Sequence, residues 1–257
     1  MILWLDGAHD PTENMRRDRA LLAAAESHAE PVLRLFAFHP FGITLGASQS
    51  PDQVLDLERC RRDGVPWAVR PTGGRAIFHA EEWTYALAAP IDHPAWGGTQ
   101  THAYERMSEL IVKSLRRLGV PAELARTRRA ERSLAAACFA ATTRHEVVVD
   151  GAKLVGSAQR RTQRGLVQQG SVLVSDGHLR LADYVRNADP SWRDALRRRS
   201  ASAAPWLAAA PALDRWADAL IAELPADTRR VEGARGLFLL TLEKHGSYTA
   251  ALTNPEA

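Results

Sequence analysis

The sequence predicts an α+β fold in which a mixed, largely antiparallel central sheet is flanked by helices. Strand-like and helical segments follow one another without the strict alternation that is typical of a doubly wound sheet. The Asp150-Gly151 pair stands between two β-branched runs and predicts a hairpin. With 257 residues the chain can bury a full core. We expect residues 1–257 to form a single domain, with a mainly helical C-terminal part from about residue 181.

The individual elements follow from apolar periodicity and from the residues that end each segment. Strands are predicted at 1–5, 32–38, 43–47, 67–70, 76–78, 83–88, 146–149, 153–159 and 170–174. Helices are predicted at 14–27, 51–62, 101–118 and 213–224. The helix at 51–62 begins with Pro51, as helix entry prefers. The helix at 101–118 has the clearest apolar face, and Gly119 and Pro121 predict its end.

The cysteine content and the lengths of the apolar runs indicate the compartment in which the protein works. The two cysteines, Cys60 and Cys138, are too few for a disulfide framework, so a reducing compartment is expected. No apolar run approaches the roughly 20 residues of a membrane helix, and the first ten residues lack the features of a signal peptide. We therefore expect a cytoplasmic protein with no membrane partner.

The chain is mildly basic, with a net charge of +3 and a sequence pI near 9.1. Its arginines cluster at Arg126, Arg128 and Arg129, at Arg160, Arg161 and Arg164, and at Arg197, Arg198 and Arg199. These clusters are either a solvated surface or a docking face for an acidic partner. Aromatic residues do not interleave with them, and no helix-turn-helix pattern or metal-ligand spacing accompanies them. Neither a nucleic-acid partner nor a metal site is expected.

Lysine is rare in this sequence. Only three of the 33 basic residues are lysines, and one of them, Lys153, follows Cys138 by fifteen positions. A cysteine is a nucleophile only as a thiolate, which a nearby cation favours, and a lysine can also exchange a proton where an arginine cannot. Alternatively, Cys138 is a small buried hydrophobe and Lys153 a strand lysine beside a turn. The hairpin places Lys153 opposite Val148, but the spacing does not establish contact with Cys138.

A second segment, RPTGGRAIFH at 70–79, carries adjacent glycines at Gly73 and Gly74. Paired glycines let backbone N–H groups approach a ligand closely, although they also form ordinary turns. Arg70 and Arg75 bracket the pair, and His79 ends the strand that follows. The segment matches neither a P-loop nor a dinucleotide-binding fingerprint.

Several stretches, in this order, resemble the lipoate–protein ligase and octanoyltransferase family, whose fold also serves biotin–protein ligases. The matching stretches are ENM (13–15), PVLRLF (31–36), ITLGASQ (43–49), RPTGGRAIFH (70–79), EWTYAL (82–87), ACFAATTRHEVVVDGAKLVGSAQRR (137–161) and QQGSVLV (168–174). Cys138-Phe139 and the stretch from Gly151 to Gln159 are most similar to the cysteine-dependent octanoyl-[acyl-carrier-protein]:protein N-octanoyltransferases.

The resemblance implies a catalytic domain that transfers an octanoyl group from acyl carrier protein to a lysine of a lipoyl domain. The acceptor would be a glycine-cleavage carrier protein or a dehydrogenase E2 subunit. Cys138 would hold the acyl group as a thioester, and Lys153 would stabilise its thiolate. The implied substrate-binding residues are Arg70, Gly73, Gly74, Arg75, His79, Gly156, Ser157 and Ala158. The implied chemistry needs no ATP, cofactor or metal.

The sequence departs from the family pattern at three places. Val69 precedes Arg70 where an arginine pair is frequent, Arg16-Arg17 replace an apolar pair, and Gln169 replaces a histidine. Two related activities stay open, those of an ATP-dependent lipoate–protein ligase and of a lipoyl amidotransferase. A more distant alternative is a non-catalytic basic binding module.

Overall fold

A six-stranded sheet forms the centre of the computed structural model. The structure describes residues 1–27, 30–125, 129–130, 141–142, 145–207, 212–234 and 236. The strands are β1 (Ile2–His9), β2 (Val32–Phe38), β3 (Gly42–Leu45), β4 (Trp67–Val69), β5 (Ile77–His79), β6 (Glu82–Pro90), β7 (Glu123–Leu124), β8 (Arg129–Ala130), β9 (Ala141–Thr142), β10 (Val147–Val149), β11 (Ala152–Lys153), β12 (Val155–Arg161), β13 (Gly165–Leu173) and β14 (Arg229–Glu232). The helices are α1 (Pro11–Ala25), α2 (Pro51–Val54), α3 (Leu57–Arg62), α4 (Gln100–Arg117), α5 (Trp192–Arg197) and α6 (Leu213–Ile221).

The strand order of the central sheet is β12-β13-β6-β2-β1-β14. Strand β1 runs parallel to β2 and β14, and the other neighbours are antiparallel. Three smaller sheets have the orders β11-β10-β7, β4-β3-β5 and β8-β9. The predicted mixed, largely antiparallel sheet with flanking helices is confirmed.

The two faces of the central sheet are covered by different helices. Because successive strand residues point to opposite faces, Leu33 and Leu35 of β2 pack in the core formed with α4 and α6. Val32 and Phe36 of the same strand pack in the core formed with α1. A third core forms around β3, β5, α3 and α5. The sheet is therefore buried on both faces, which explains why its strands read as continuous apolar runs.

Helix α1 begins earlier than predicted. The side chain of Asp10 accepts hydrogen bonds from the backbone N–H groups of Thr12 and Glu13, at 2.8 and 3.1 Å, and Pro11 occupies the first turn. An aspartate followed by proline is a strong start signal, since the carboxylate caps free N–H groups and proline has none to satisfy. The predicted start at Asn14 overlooked this signal.

Of the helices predicted at 101–118 and 51–62, the structure confirms the first and divides the second. Helix α4 is confirmed, with Thr99 as its N-cap and Gly119 at a φ of +88° just after its end. The single helix predicted at 51–62 is wrong, because the chain forms two short helices, α2 and α3. Leu55 between them is extended and bridges to Val185. Asp56 then caps α3 through its side chain.

The C-terminal part contains 3-10 turns at Gly177–Asp183 and Ala204–Trp206, the helices α5 and α6, and the strand β14. Strand β14 was not predicted from the sequence. Its four residues, RRVE, alternate between half-buried and exposed and contain a single apolar side chain. Its position is set by parallel pairing with β1 rather than by its own pattern. In the described part of the chain, no helix is both long and apolar enough to cross a membrane.

A buried arginine ties α1 to the central sheet. Arg34 of β2 is fully buried and donates to Asp6 of β1 at 2.7 Å. It also donates to Asp18 and to the side chain of Asn14 on α1, both at 2.6 Å. Its guanidinium lies 3.8 Å from the centre of the Phe36 ring. The positive charge of Arg34 is therefore compensated by Asp6 from the sheet and by Asp18 and Asn14 from α1.

We expect Arg34→Met to destabilise the protein by about 3–5 kcal/mol, because the substitution removes the arginine that pairs with the buried Asp18 and leaves the buried Asp6 with Arg17 as its remaining arginine partner. Chemical denaturation measures the change in the free energy of unfolding. Arg230→Met is the matched control, since Arg230 also contacts carboxylates, those of Asp214 and Asp218, but its side chain is 30% exposed. The control should cost about 1 kcal/mol or less. Equal losses in the two variants would contradict this account of the cluster.

Candidate active site

A narrow pocket lies between the α1 face of the central sheet and the smaller β4-β3-β5 sheet. Its lining comprises Met15, Phe36, Phe38, Thr44, Arg70, Ile77, His79, Thr84, Gly156, Ser157, Ala158, Gln169, Gly170 and Ser171. The pocket volume is about 30 Å³, which holds no more than a water molecule or two. Apolar side chains from α1, β2 and β5 meet polar side chains from β3, β6 and β13 in this space.

Five of the eight residues that the sequence indicated for substrate binding line this pocket. They are Arg70, His79, Gly156, Ser157 and Ala158. The other three, Gly73, Gly74 and Arg75, lie in the adjoining loop. A methyl group placed on Gly74 would lie 3.8 Å from the Cβ atom of Ala158. The structure therefore brings the glycine loop next to the start of β12.

The conformation of the glycine loop is held by Arg70. The guanidinium of Arg70 donates to the carbonyl oxygens of Gly73 and Arg75, at 2.9 and 2.8 Å. Gly74 has a φ of +90°, which favours glycine. Gly46 packs so closely that a methyl group on it would lie 2.0 Å from the carbonyl oxygen of Gly74. Arg70 thus shapes the loop through these bonds as well as lining the pocket.

His79 belongs to a buried polar cluster in the pocket wall. Its Nδ1 donates to Oε1 of Glu82, which also accepts hydrogen bonds of 3.0 Å from the hydroxyls of Thr84 and Ser171. Its Nε2 shares a hydrogen bond of 2.6 Å with the hydroxyl of Thr44. The ring stacks on Phe38 with centroids 3.8 Å apart. This arrangement fixes the ring in one orientation.

Gln169 connects the pocket to the buried charge cluster. Its Nε2 donates to Asp18, and its Oε1 accepts a hydrogen bond of 2.6 Å from the hydroxyl of Thr72 in the glycine loop. Burial raises the pKa of the Asp18 carboxyl, and the neighbouring Arg34 opposes this shift. Gln169, one of the residues that depart from the family pattern, is therefore fixed at both ends of its amide.

Lys153 lies in the hairpin that the Asp150-Gly151 pair predicts. These two residues have φ values of +49° and +74°, as a tight two-residue turn requires. The pairing of Lys153 with Val148 is confirmed. The strand predicted at 153–159 is interrupted at Leu154, so that Lys153 belongs to the β11-β10-β7 sheet and the residues from Val155 onward belong to the central sheet.

The ammonium of Lys153 is deeply buried. Its side chain is 3% exposed, and its Nζ donates to Oε1 of Glu146 at 2.6 Å. The backbone of Lys153 is bonded to the C-terminal part: its N–H donates to the carbonyl of Arg199 at 2.8 Å, and its carbonyl accepts from the N–H of Ala201 at 2.9 Å. Lys153 does not itself line the pocket, but three residues further on Gly156 does.

Of the two cysteines, Cys60 belongs to the described residues. Cys138 lies outside them. Cys60 of α3 is buried in the core around β3 and β5, and burial raises the pKa of its thiol. A thiol in this setting is not a nucleophile.

Tyr85 lies across the middle of the central sheet beside Ser157. Its hydroxyl hydrogen-bonds the Ser157 hydroxyl at 2.8 Å and accepts from Nε2 of Gln168 at 3.2 Å. Burial raises the pKa of Tyr85 to about 12. Gly170, which lies between Tyr85 and Ser157 in the strand register, leaves room for the ring.

Sequence reasoning missed several residues of the site. They are Met15, Phe36, Phe38, Thr44, Ile77, Thr84, Glu146, Gln169, Gly170 and Ser171. Phe36 and Phe38 alternate along a strand and could have been placed on one face. Thr84 and Ser171 are polar residues within buried, largely apolar strands, which is a signal of a lined cavity. For Glu146 no sequence signal identifies the partner, since its contact with Lys153 depends on the strand register.

We expect Gly170→Ala to destabilise the protein by about 1–3 kcal/mol, because the new methyl group would overpack the sheet against Tyr85. It would lie 2.3 Å from Cε1 of that ring. Gly73→Ala is the control for stability, since among the described residues, apart from its two chain neighbours, no atom lies within 4 Å of the added methyl group. Thermal or chemical unfolding compares the two variants. A Gly170→Ala protein as stable as the control would contradict the close packing of Tyr85.

The chain is similar in sequence to proteins named octanoyltransferase LipM. The chain is 39% identical to the octanoyltransferase LipM of Moorella thermoacetica over 172 residues, which is 66% of this chain and 63% of the relative. It is 33% identical to the octanoyltransferase LipM of Bacillus subtilis over 199 residues, which is 75% of this chain and 72% of that relative. The chain thus spans less than two thirds of the Moorella protein.

The structure is similar to a crystal structure of lipoate-protein ligase A bound with ATP. The TM-score is 0.71 at 20% identity, and the match covers 95% of this chain and 94% of the other. At this identity the likeness shows the fold. The family model described as the lipoyl protein ligase A/B catalytic domain matches residues 10–224. The chain therefore belongs to the lipoyl protein ligase A/B catalytic domain family.

Proposed function

We propose that this protein is an octanoyltransferase that moves an octanoyl group from acyl carrier protein to a lysine of a lipoyl domain through a thioester on Cys138. The observation that carries the proposal is the buried Lys153 two residues before β12, the strand whose Gly156, Ser157 and Ala158 line a narrow pocket. The name of the LipM relatives at 33–39% identity supports the same activity. Residues 1–257 act as a single catalytic domain.

In the first half-reaction the thiolate of Cys138 attacks the carbonyl carbon of the octanoyl thioester. A new carbon–sulfur bond forms, and the carrier leaves as its thiolate. Lys153 supplies the cation that favours the attacking thiolate. Backbone N–H groups at Gly156, Ser157 and Ala158, or in the neighbouring Gly73-Gly74 loop, stabilise the negative oxygen that develops on the carbonyl.

In the second half-reaction the amine of the acceptor lysine attacks the octanoyl-enzyme. A carbon–nitrogen bond forms, the bond to the sulfur of Cys138 breaks, and the proton that the amine nitrogen loses ends on that sulfur, which regenerates the thiol. Splitting the transfer into two steps follows the logic of covalent catalysis, in which one difficult exchange becomes two easier ones. Thioester chemistry supplies the driving force, so the proposed reaction uses no nucleotide and no cofactor.

The acyl chain binds in the pocket beneath α1. Met15, Phe36 and Ile77 offer apolar contacts, which favour a fatty-acyl chain over a polar group. At about 30 Å³ the pocket must widen to admit eight carbons. Met15 is the side chain best suited to move, since methionine is unbranched and adaptable.

The protein partners are octanoyl-acyl carrier protein and a lipoyl-domain protein, such as a glycine-cleavage carrier or a dehydrogenase E2 subunit. The exposed arginines Arg160 and Arg164 lie at the far end of β12 and in the turn after it. Arg197 and Arg198 are exposed at the end of α5. An acidic partner would be attracted to these surfaces, mainly through a faster encounter.

We expect Cys138→Ala to abolish octanoyl transfer, because the thioester cannot form without the sulfur. Purified protein is mixed with octanoyl-acyl carrier protein and an apo-lipoyl domain, without nucleotide, and intact mass spectrometry follows both the enzyme and the acceptor. The wild-type chain should show an octanoyl adduct that is absent from the variant.

Cys60→Ala is the matched control, since it removes the other thiol from a buried position outside the pocket. The control should transfer at close to the wild-type rate. Full transfer by Cys138→Ala would rule out the proposal. Product formation that requires ATP and free lipoate would assign the protein to the ligases instead, and transfer from an already lipoylated protein would assign it to the amidotransferases.

A further inference from the structure

We propose that the ring of Phe36 closes the inner end of the acyl pocket and thereby selects octanoyl over longer acyl groups. This inference rests on the proposed function, because that function places the acyl chain in the pocket. It is carried by two observations, which are the strand register along the pocket floor and the contact that fixes the Phe36 ring.

The floor of the pocket is a row of residues on four neighbouring strands of the central sheet. Gly156 of β12 pairs with Ser171 of β13. Ser171 pairs with Thr84 of β6, and Thr84 pairs with Phe36 of β2. All of these residues line the pocket. Because neighbouring strands lie about 4.8 Å apart, the row from Gly156 to Phe36 spans about 14 Å, which is comparable to the length of an extended medium-chain acyl group.

Burial distinguishes the outer end of this row from the inner end. Ser157 and Ala158 on β12 are partly exposed, and the neighbouring Gly74 of the glycine loop is exposed. Phe36, at the opposite end of the row, is fully buried. An acyl chain therefore enters the pocket at β12, and its methyl end points toward Phe36.

The hydroxyl groups in the middle of the row already have an acceptor. Thr84 and Ser171 both donate to Oε1 of Glu82, at 3.0 Å in each case. A buried donor costs free energy only when it lacks an acceptor. Methylene groups can therefore lie along this part of the floor without leaving these donors unpaired.

The ring of Phe36 is fixed by the buried charge cluster. The guanidinium of Arg34 covers one face of the ring, 3.8 Å from its centre, and is itself held by two buried carboxylates. A ring that moved away would lose this cation–π contact. Phe38 lies beside Phe36, with ring centroids 5.7 Å apart, and stacks on His79. Phe36 is therefore a rigid stop, in contrast to the adaptable Met15 of α1.

The consequence is a limit on the length of the acyl chain. Each methylene group that is buried between β12 and the ring adds to the affinity. Additional methylene groups would either overpack against a ring that cannot move or remain outside the pocket. A longer acyl group therefore gains no affinity from its extra carbons.

The test compares the wild-type chain with Phe36→Val, which opens space at the inner end of the pocket. Calorimetric titration with free octanoate and decanoate measures binding without requiring transfer. The wild-type chain should bind decanoate no more tightly than octanoate. Phe36→Val should bind decanoate about tenfold more tightly than octanoate, because the extra methylene groups become buried. Transfer from octanoyl- and decanoyl-acyl carrier protein should change preference in the same direction.

Phe78→Val is the matched control. Phe78 is fully buried on β5 and stacks on Tyr184 in the core around β3 and β5. Since successive strand residues point to opposite faces, it points away from the pocket that its neighbours Ile77 and His79 line. The control should lower the melting temperature, as Phe36→Val does, but keep the wild-type ratio of the two affinities.

The outcomes are distinct. A Phe36→Val protein with the wild-type affinity ratio would overturn this inference and leave the proposed function intact. A wild-type chain that binds decanoate more tightly than octanoate, or that binds neither acid, would overturn it as well. If Phe36→Val fails to fold by circular dichroism, Phe36→Leu decides in the same way through a smaller shift of the ratio. A chain whose ratio shifts as expected, but which transfers no octanoyl group, would overturn the proposed function alone.

Discussion

The buried guanidinium of Arg34 is the constraint on which the position of the pocket depends. Asp6 on β1 and Asp18 on α1 both accept its hydrogen bonds, so the helix cannot slide along the sheet without exposing or separating charges. Asp18 then holds Gln169, and Gln169 holds Thr72. One chain of hydrogen bonds thus extends from the interior of the sheet to the glycine loop, and the pocket forms where these elements meet.

A second constraint is the change of sheet at Leu154. The hairpin strand that carries Lys153 pairs with β10, whereas the next residues pair with β13 in the central sheet. Leu154 is fully buried, and its N–H and carbonyl bond to Val147 and Leu173. A single uninterrupted strand would place Lys153 in the same sheet as the pocket wall. The interruption instead sets the lysine in the β11-β10-β7 sheet, where its ammonium reaches Glu146.

Sequence reasoning found the elements with strong local signals. Helix α4 and strand β2 have clear apolar periods, and the Asp150-Gly151 hairpin follows from turn chemistry alone. The break in the helix at 51–62 was missed because Leu55 is extended by its bridge to Val185, a contact far away in the chain. The glycine loop was found, but the role of Gln169 in holding it was not, since that role depends on residues from three separate elements.

The C-terminal part belongs physically to the candidate site. The segment from Arg199 to Ala201 bonds both backbone groups of Lys153 and so completes the pairing that β10 begins on the other side. Ser200 lies in this segment and shares a hydrogen bond of 2.7 Å with His178, which is buried near the start of the 3-10 turn after β13. Because Lys153 is paired on both sides, its backbone has little freedom to move. The orientation of its ammonium toward Glu146 is therefore a property of the whole fold, including elements that the family's glycine and cysteine motifs do not contain.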